Sequence, residues 1–283
     1  MTAQQQDTRD HGTGPDAVRE LVDRVDRYCD SAPRGGGRAE DFGALTLFVR
    51  EDGGGPYYAR PKPGAALPPS RAEVDAVLAR QRELGVPEAF EWLGATAPGL
   101  RGLLEQAGLT VGEHPLLALP LSAPVAAGET PTVRLVGAED PALAQVIAAQ
   151  YLGFGTPGTA VGTVSVDALA AEAEARSADG TVARARARIT AGLTAFAAAF
   201  DGDLPVAAGQ HNPVGGTSEI VGVATLPAFR RQGLGLAVTA ALLADARGRG
   251  TGTVFLSASD ADVARVYERA GFRPIGTALT AEI

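Results

Sequence analysis

Between Glu219 and Gly235 the chain reads EIVGVATLPAFRRQGLG, and no other stretch restricts the fold so narrowly. Ile220, Val221, Val223 and Thr225 are β-branched and describe a strand, which runs into Pro227. R-R-Q-G-L-G follows, and then an Ala/Leu-rich helical pattern from Gly235 to Arg247. A strand that opens through two glycines onto a helix start leaves backbone N–H groups free to meet a phosphate. Glycines suit such a place because, without Cβ, they let a ligand come close to the main chain. The segment is not a Walker loop: no Gly-Lys-Ser/Thr follows, and Lys62 is the only lysine in the chain. Nor are its glycines spaced as a G-x-G-x-x-G dinucleotide fingerprint.

After one more short strand pattern the chain reads YERAGF, from Tyr267 to Phe272. The order strand, proline, R-x-x-G-x-G, helix, strand, helix, Y-x-x-x-G-F resembles the GNAT superfamily of acyl-CoA-dependent N-acetyltransferases. Arg230, Gly233 and Gly235 fill the first motif; Tyr267, Gly271 and Phe272 fill the second. The resemblance covers about residues 131–283, with the sharp motifs inside 219–272. It implies the GNAT acyl-CoA N-acyltransferase fold, an α/β (α+β) mixed sheet, with acetyl-CoA as acyl donor and no metal.

Composition narrows the rest. At 283 residues and 45% hydrophobic, the chain has room for one large or two ordinary domains with proper cores. The net charge of −8 disfavours a nucleic-acid partner, which would call for a basic surface. No apolar run reaches membrane-spanning length. The N-terminal MTAQQQDTRDHGTG lacks the apolar centre of a signal peptide, so the expected location is cytoplasmic. Cys29 is the single cysteine, which leaves no disulfide framework and no cysteine cluster for zinc.

The organisation predicts two similar domains in tandem: a disordered tail at 1–14, a first domain at 15–122, a linker at 123–132 and a catalytic domain at 133–283. LEQAGL (Leu104 to Leu109) echoes YERAGF at an offset of 163 residues, and both stand between a short strand pattern and a final strand. In the first half a helix is expected from about Asp16 to Cys29 and a loop over PRGGGR (Pro33 to Arg38). Strands are expected at 44–50, 57–60, 89–93 and 116–121, with helices at 71–84 (Ser70 as N-cap) and 99–107. In the second, strands are expected at 133–136, 193–200, 205–210, 219–226, 253–257 and 275–281. Its helices are expected at 141–152 (Asp140 as N-cap), 166–177, 235–247 and 261–270, with a loop at 153–162. Where the second half has R-R-Q-G-L-G the first has PKPGAALPPS, from Pro61 to Ser70. Prolines bring no N–H, and Leu104 stands where Tyr267 stands, so the first half reads as a degenerate GNAT-like domain without a CoA site.

The resemblance assigns the site residue by residue. The pantetheine arm would run along the main chain of Val223, Ala224 and Thr225, residues that are also plain central-strand positions; a backbone N–H there can stabilise an oxyanion. The pyrophosphate would sit over Arg231, Gln232, Gly233, Leu234, Gly235 and Leu236, with Arg230 and Arg231 adding charge or simply facing solvent. Tyr267 is the candidate acid for the departing thiolate, or else a packed helix aromatic. Asp260 stands where the family often has a cofactor-contacting Asn, and reads equally as a helix N-cap. Glu219 is the candidate base, or a solvated strand end; His211 or water are the alternatives. Tyr151 and Phe154 would line an acceptor slot or pack in the core; Tyr58 and Trp92 are expected in the first half's core. The implied reaction is direct acetyl transfer to a primary amine of a small molecule in a ternary complex. The rivals are a protein lysine or N-terminal acceptor, or a non-catalytic acyl-CoA sensor.

Overall fold

The computed structural model describes residues 14–51, 57–120, 132–155, 161–163 and 166–283. Residues 1–13 of the predicted tail, 123–131 of the predicted linker and 156–160 of the predicted 153–162 loop lie outside the described residues.

In the first half, helix α1 (Pro15–Ser31) is followed by strands β1 (Gly37–Phe42), β2 (Leu45–Arg50) and β3 (Ala59–Pro61). Then come α2 (Arg71–Leu84), β4 (Ala89–Leu93), α3 (Leu100–Gln106) and β5 (Thr110–Pro120). The second half runs β6 (Val133–Val136), α4 (Leu143–Phe154), α5 (Val166–Ala178), α6 (Thr181–Thr190), β7 (Ala195–Asp201), β8 (Leu204–Val214) and β9 (Thr217–Thr225). It ends with α7 (Leu234–Gly248), β10 (Thr253–Ser257), α8 (Ala261–Arg269) and β11 (Arg273–Glu282). No described helix is long and apolar enough to cross a membrane.

Local chemistry sets most boundaries. Ser70 and Glu73 form a reciprocal capping box at the start of α2, and Gly85 (φ 66°) ends it in the left-handed region. Gly215 and Gly216, with φ 57° and 81°, supply the two positive-φ positions of the tight β8–β9 hairpin. Three expectations need correction. The PRGGGR loop is shorter than predicted: β1 already begins at Gly37, pairing with Arg50 of β2. The N-cap of α4 is Ala142, not Asp140; Asp140 instead accepts the Ala142 N–H at 2.9 Å and pairs with Arg134. Helix α6 was not anticipated, because alternating Arg and Ala in VARARARI hides a thin apolar stripe in which Val182 and Ala185 are buried.

All eleven strands form one sheet in the order β1-β2-β3-β4-β11-β5-β10-β9-β8-β7-β6. The halves interlock within it. Strands β3 and β4 are parallel, as are β9 and β10, but the last strand of each half leaves its own neighbours. β11 pairs with β4 (Ala278 opposite Leu93), while β5 pairs with β10 (Ala118 opposite Phe255). β5 and β11 also pair with each other, joining the two halves antiparallel.

The cores follow the exchange. Leu117 and Leu119 of β5 are buried with Val238, Leu242, Val254 and Phe272 in the second half's core. Leu279 and Ala281 of β11 are buried with Val74, Phe90, Trp92 and Leu104 in the first half's. A buried leucine contributes about 1.5–3 kcal/mol, so each half's core draws several kcal/mol from the other's last strand. On the opposite face α1 lays Val22, Val25 and Tyr28 over Leu93 and Leu116 from the first half and Phe255, Ile275 and Ala278 from the second.

Candidate active site

The site begins with a bulge. Between the pairs Gln210–Val221 and Ala208–Ala224, β9 has two residues, Gly222 and Val223, against Gly209 alone on β8. Gly222 takes φ 68°, and Gln150 of α4 donates to its carbonyl at 2.9 Å. Beyond this point β9 parts from β10. Their pairing runs only from Thr217–Thr253 to Glu219–Phe255, so the β10-facing edge of β9 from Ile220 to Thr225 meets no strand. The main chain of Val223, Ala224 and Thr225 lies on this unpaired edge, which forms one wall of the candidate cleft. Helix α4 approaches this wall at Gly153, where a Cβ would fall 2.7 Å from the Ala224 Cβ.

At the end of β9 the chain enters α7 with no side-chain cap. Arg231 (φ 65°) is the only non-glycine with positive φ among the described residues, and Gly233 (φ 77°) follows as the N-cap. Successive left-handed positions turn backbone N–H groups toward one concavity. Among the described residues, the N–H groups of Arg231 to Leu236 donate to no protein acceptor. They sit on the positive end of a 15-residue helix, a fit for a phosphate-bearing group. A Cβ at Gly235 would stand 3.8 Å from Val223 and Thr225, beside the cleft wall. Arg230 does not point to this row. Its guanidinium donates to the carbonyls of Thr225 (3.3 Å) and Gly153 (2.9 Å), bracing α4 against the end of β9.

Tyr267 lies on α8, half-buried, edge-on to Phe272 at 5.9 Å between ring centroids. Its hydroxyl has no hydrogen-bond partner among the described residues, and burial pushes its pKa up to about 12. It is therefore a protonated donor at neutral pH. The Asp260 carboxylate is engaged as the N-cap of α8, accepting the Val263 N–H at 2.9 Å and the Ser259 hydroxyl at 3.1 Å.

Glu219 sits opposite Phe255 and Asn212 in the sheet, on the face covered by α1. The residue keeps a partial opening to solvent, yet protein surrounds its carboxylate. Burial first, and then the neighbouring Glu91, push its pKa up to about 8; Arg60 opposes the shift. His211 is on the other face, and the structure corrects the expectation of a histidine at a strand end. It is 0% exposed within β8, paired with Ile220 of the α7-side core. Its Nε2 lies 2.8 Å from Asp245 and its Nδ1 2.7 Å from Ser218. Burial disfavours the imidazolium and lowers its pKa, against the pull of Asp245. An ionised Asp245 only accepts, so Nε2 carries the proton and Nδ1 accepts from Ser218. Sealed and fully bonded, His211 has no lone pair to offer a substrate.

Tyr151 and Phe154 are 45% and 60% exposed at the end of α4, not core residues; Arg176 stacks over the Tyr151 ring at 4.6 Å. Trp92 is core, but Tyr58 is 37% exposed and reaches Glu282 at 3.4 Å. The sequence reading missed Tyr28, whose hydroxyl donates to the carbonyl of Asn212 opposite Glu219, the buried ion pair of Arg60 with Asp26, and Glu91, which acts electrostatically on Glu219. A signal was present: Arg60 and Glu91 are single charges inside otherwise apolar strand patterns, ARP and AFEWL.

The fold and the cleft define the class, an acyltransferase-type α/β sheet in tandem. The model of the acetyltransferase (GNAT) family matches residues 159–272. That part of the chain belongs to the GNAT acetyltransferase family. Among solved structures, the chain is similar to a GCN5-related N-acetyltransferase from Kribbella flavida at 22% identity, covering 93% of this chain and 95% of that one, with TM-score 0.66. It is similar to a tandem GNAT protein from the clavulanic acid biosynthesis pathway at 14% identity, covering 96% of each chain, with TM-score 0.53. It is also similar to a GCN5-related N-acetyltransferase from Sphaerobacter thermophilus at 17% identity, covering 85% of this chain and 80% of that one, with TM-score 0.50. Likeness at these identities establishes the fold, including its tandem form. No curated protein sequence matches the chain.

Proposed function

We propose that the second half transfers an acetyl group from acetyl-CoA directly to the primary amine of a small molecule. The observation that carries this reading is an unpaired β9 edge that leads into the row of free N–H groups from Arg231 to Leu236. The free main-chain groups of Val223 to Thr225 would hold the pantetheine arm and offer an N–H to the developing oxyanion. The α7 N-terminus would hold the pyrophosphate. Asp260, whose carboxylate caps α8, and Arg230, whose guanidinium holds the carbonyls of Thr225 and Gly153, would support the site by fixing the elements around it.

Tyr267 would return a proton to the thiolate, and Glu219 would take one from the amine. A base with a pKa near 8 is well matched to that task near neutral pH. A small acceptor is favoured over a protein lysine because α1 covers the face on which Glu219 stands. The first half, with prolines at 61, 63, 68 and 69 before α2 and a capping box that engages the N–H groups of Ser70 and Glu73, would bind no CoA.

The test is a screen of amines with thiol-release detection, followed by the pH–rate profile. Activity should rise with pH through an apparent pKa near 8, where Glu219 loses its proton. Glu219→Gln should abolish that acidic limb. An unaltered limb would make Glu219 a bystander and leave water as the base, since His211 is sealed away.

A further inference from the structure

His211 takes no part in the proposed chemistry, yet three elements meet on its ring. It is 0% exposed on β8, and so is Ser218 of β9. The Ser218 hydroxyl donates to Nδ1 at 2.7 Å, and Nε2–H donates to Asp245 of α7 at 2.8 Å. Arg249, at the C-terminal cap of α7, donates to the same Asp245 oxygen at 2.5 Å. The buried Thr194 hydroxyl donates to the His211 carbonyl at 3.2 Å, so the main chain that carries the ring is held as well. Ser218 supplies the proton that Nδ1 accepts, which fixes Nε2 as the donor to Asp245.

Apolar side chains of the same size would fill this space with no polar group to satisfy, at little cost in stability. The surroundings give the network a use. α7 lies on a smooth surface: Val238, Leu242, Leu243 and Ala246 are buried with Ala197, Ala199 and Ala207 of the sheet. Gly209 lets the helix come close, since a Cβ there would stand 3.1 Å from Val238 and 3.3 Å from Leu242. Gly209 and His211 are two residues apart on one strand and so share this face. Apolar contact on such a surface favours burial but is not directional, whereas a hydrogen bond is. The entrance of α7 has no side-chain cap to hold it. Asp245 lies about three turns, or about 16 Å, further along the helix, and there a directional side-chain bond ties α7 to the sheet.

We propose that His211 is a positioning residue of the donor site: by holding Asp245 it sets α7, and with it the N–H groups from Arg231 to Leu236, in place against the β9 wall from Val223 to Thr225. It meets neither acetyl-CoA nor the amine. A helix displaced or turned at Asp245 carries those donors with it, and hydrogen bonds weaken steeply as donor and acceptor lose alignment. This rests on the reading that the α7 entrance holds the pyrophosphate.

The test needs no turnover: acetyl-CoA binding by calorimetry and urea unfolding, both on the full chain. In His211→Asn the side-chain amide stands near the place of Nδ1, where it can meet Ser218 but not Asp245. In His211→Gln it reaches the place of Nε2 and can donate to Asp245. Thr194→Val removes the bond to the His211 carbonyl and leaves the ring's own bonds alone. All three should unfold at lower urea. His211→Asn alone should also bind acetyl-CoA about tenfold more weakly, the equivalent of ~1.4 kcal/mol. His211→Gln should recover most of that affinity, and Thr194→Val should bind as the wild type does. Asp245→Ala should weaken binding to the same degree, and combining it with His211→Asn should weaken it no further. Should His211→Asn fail to fold, Asp245→Ala against Thr194→Val makes the same comparison from the helix side. Undiminished affinity in His211→Asn, or equal losses in all three single variants of β7 and β8, overturns the positioning role while wild-type binding keeps the donor-site reading. A wild type that binds no acetyl-CoA removes that reading, and the positioning role with it.

Discussion

The helices α2 and α7 occupy the same place in the two halves: the 163-residue offset that superposes LEQAGL on YERAGF carries residues 71–84 onto 234–247. Their entrances are finished in opposite ways. Ser70 and Glu73 close α2 with a reciprocal capping box, and Glu73 also accepts the Ala44 N–H at 2.8 Å. The preceding PKPGAALPPS has already removed donors by using proline. α7 instead starts from Arg231 and Gly233 in left-handed conformations with no side-chain cap, and its first N–H groups stay free. One scaffold position is thus capped by side chains in the first half and left uncapped in the second, where the proposed reading places a ligand. The capping box is worth about 1 kcal/mol to α2; α7 forgoes it, and under the proposed reading its donors would hold a phosphate.

The largest test of this comparison separates the halves. A fragment of 133–283 lacks β5, hence Leu117 and Leu119 of its own core, and should be unfolded or insoluble. Beginning the fragment at Thr110 restores β5 and should recover folded protein and acetyl-CoA binding by calorimetry. A well-folded 133–283 fragment would show that the exchange is dispensable.

Next in size is Tyr267→Phe, which should lower kcat by about 10²-fold, the usual range for a lost general acid, with acetyl-CoA affinity retained. The equivalent Leu104 is 0% exposed core, so the proposal assigns no chemistry to that position in the first half.

Smaller again is Gly235→Asp, which sets a carboxylate beside the free N–H groups. Acetyl-CoA should bind at least about tenfold more weakly, about 1.4 kcal/mol, with the fold kept. Its counterpart Ser70→Ala should cost about 1 kcal/mol of stability in urea titration and leave acetyl-CoA affinity untouched. If Ser70→Ala weakens acetyl-CoA binding, the two entrances are not the functional opposites described.

Much of this contrast is legible in the chain. The motif strand, its proline and the glycines before α7 are local patterns, and Ser-x-x-Glu before α2 is a local cap signal, so both helix entrances can be read directly. β10 falls where its β-branched run puts it, at Thr253–Ser257. What stays hidden is non-local. β5 and β11 look alike as final strands, and nothing in either says that it pairs across the halves. The network of His211, Ser218 and Asp245 joins two strands to a helix 34 residues away, so the histidine reads as a surface residue until the pairing is known. The bridge that α1 makes, from Arg60 of β3 through Asp26 to Asn212 of β8 through Tyr28, depends on the helix lying across both halves, which its amphipathic pattern alone does not specify. Arg230 shows the converse: its motif position is legible, but its bonds to Thr225 and Gly153 depend on where α4 ends.

The most direct test of the central claim, that one half holds the donor site while the other is closed to it, is amide hydrogen exchange on the full chain with and without acetyl-CoA. Saturating acetyl-CoA should slow exchange at Arg231 to Leu236 and along Val223 to Thr225, and leave residues 62–73 unchanged. Protection at residues 62–73, or none at Arg231 to Leu236, would contradict it.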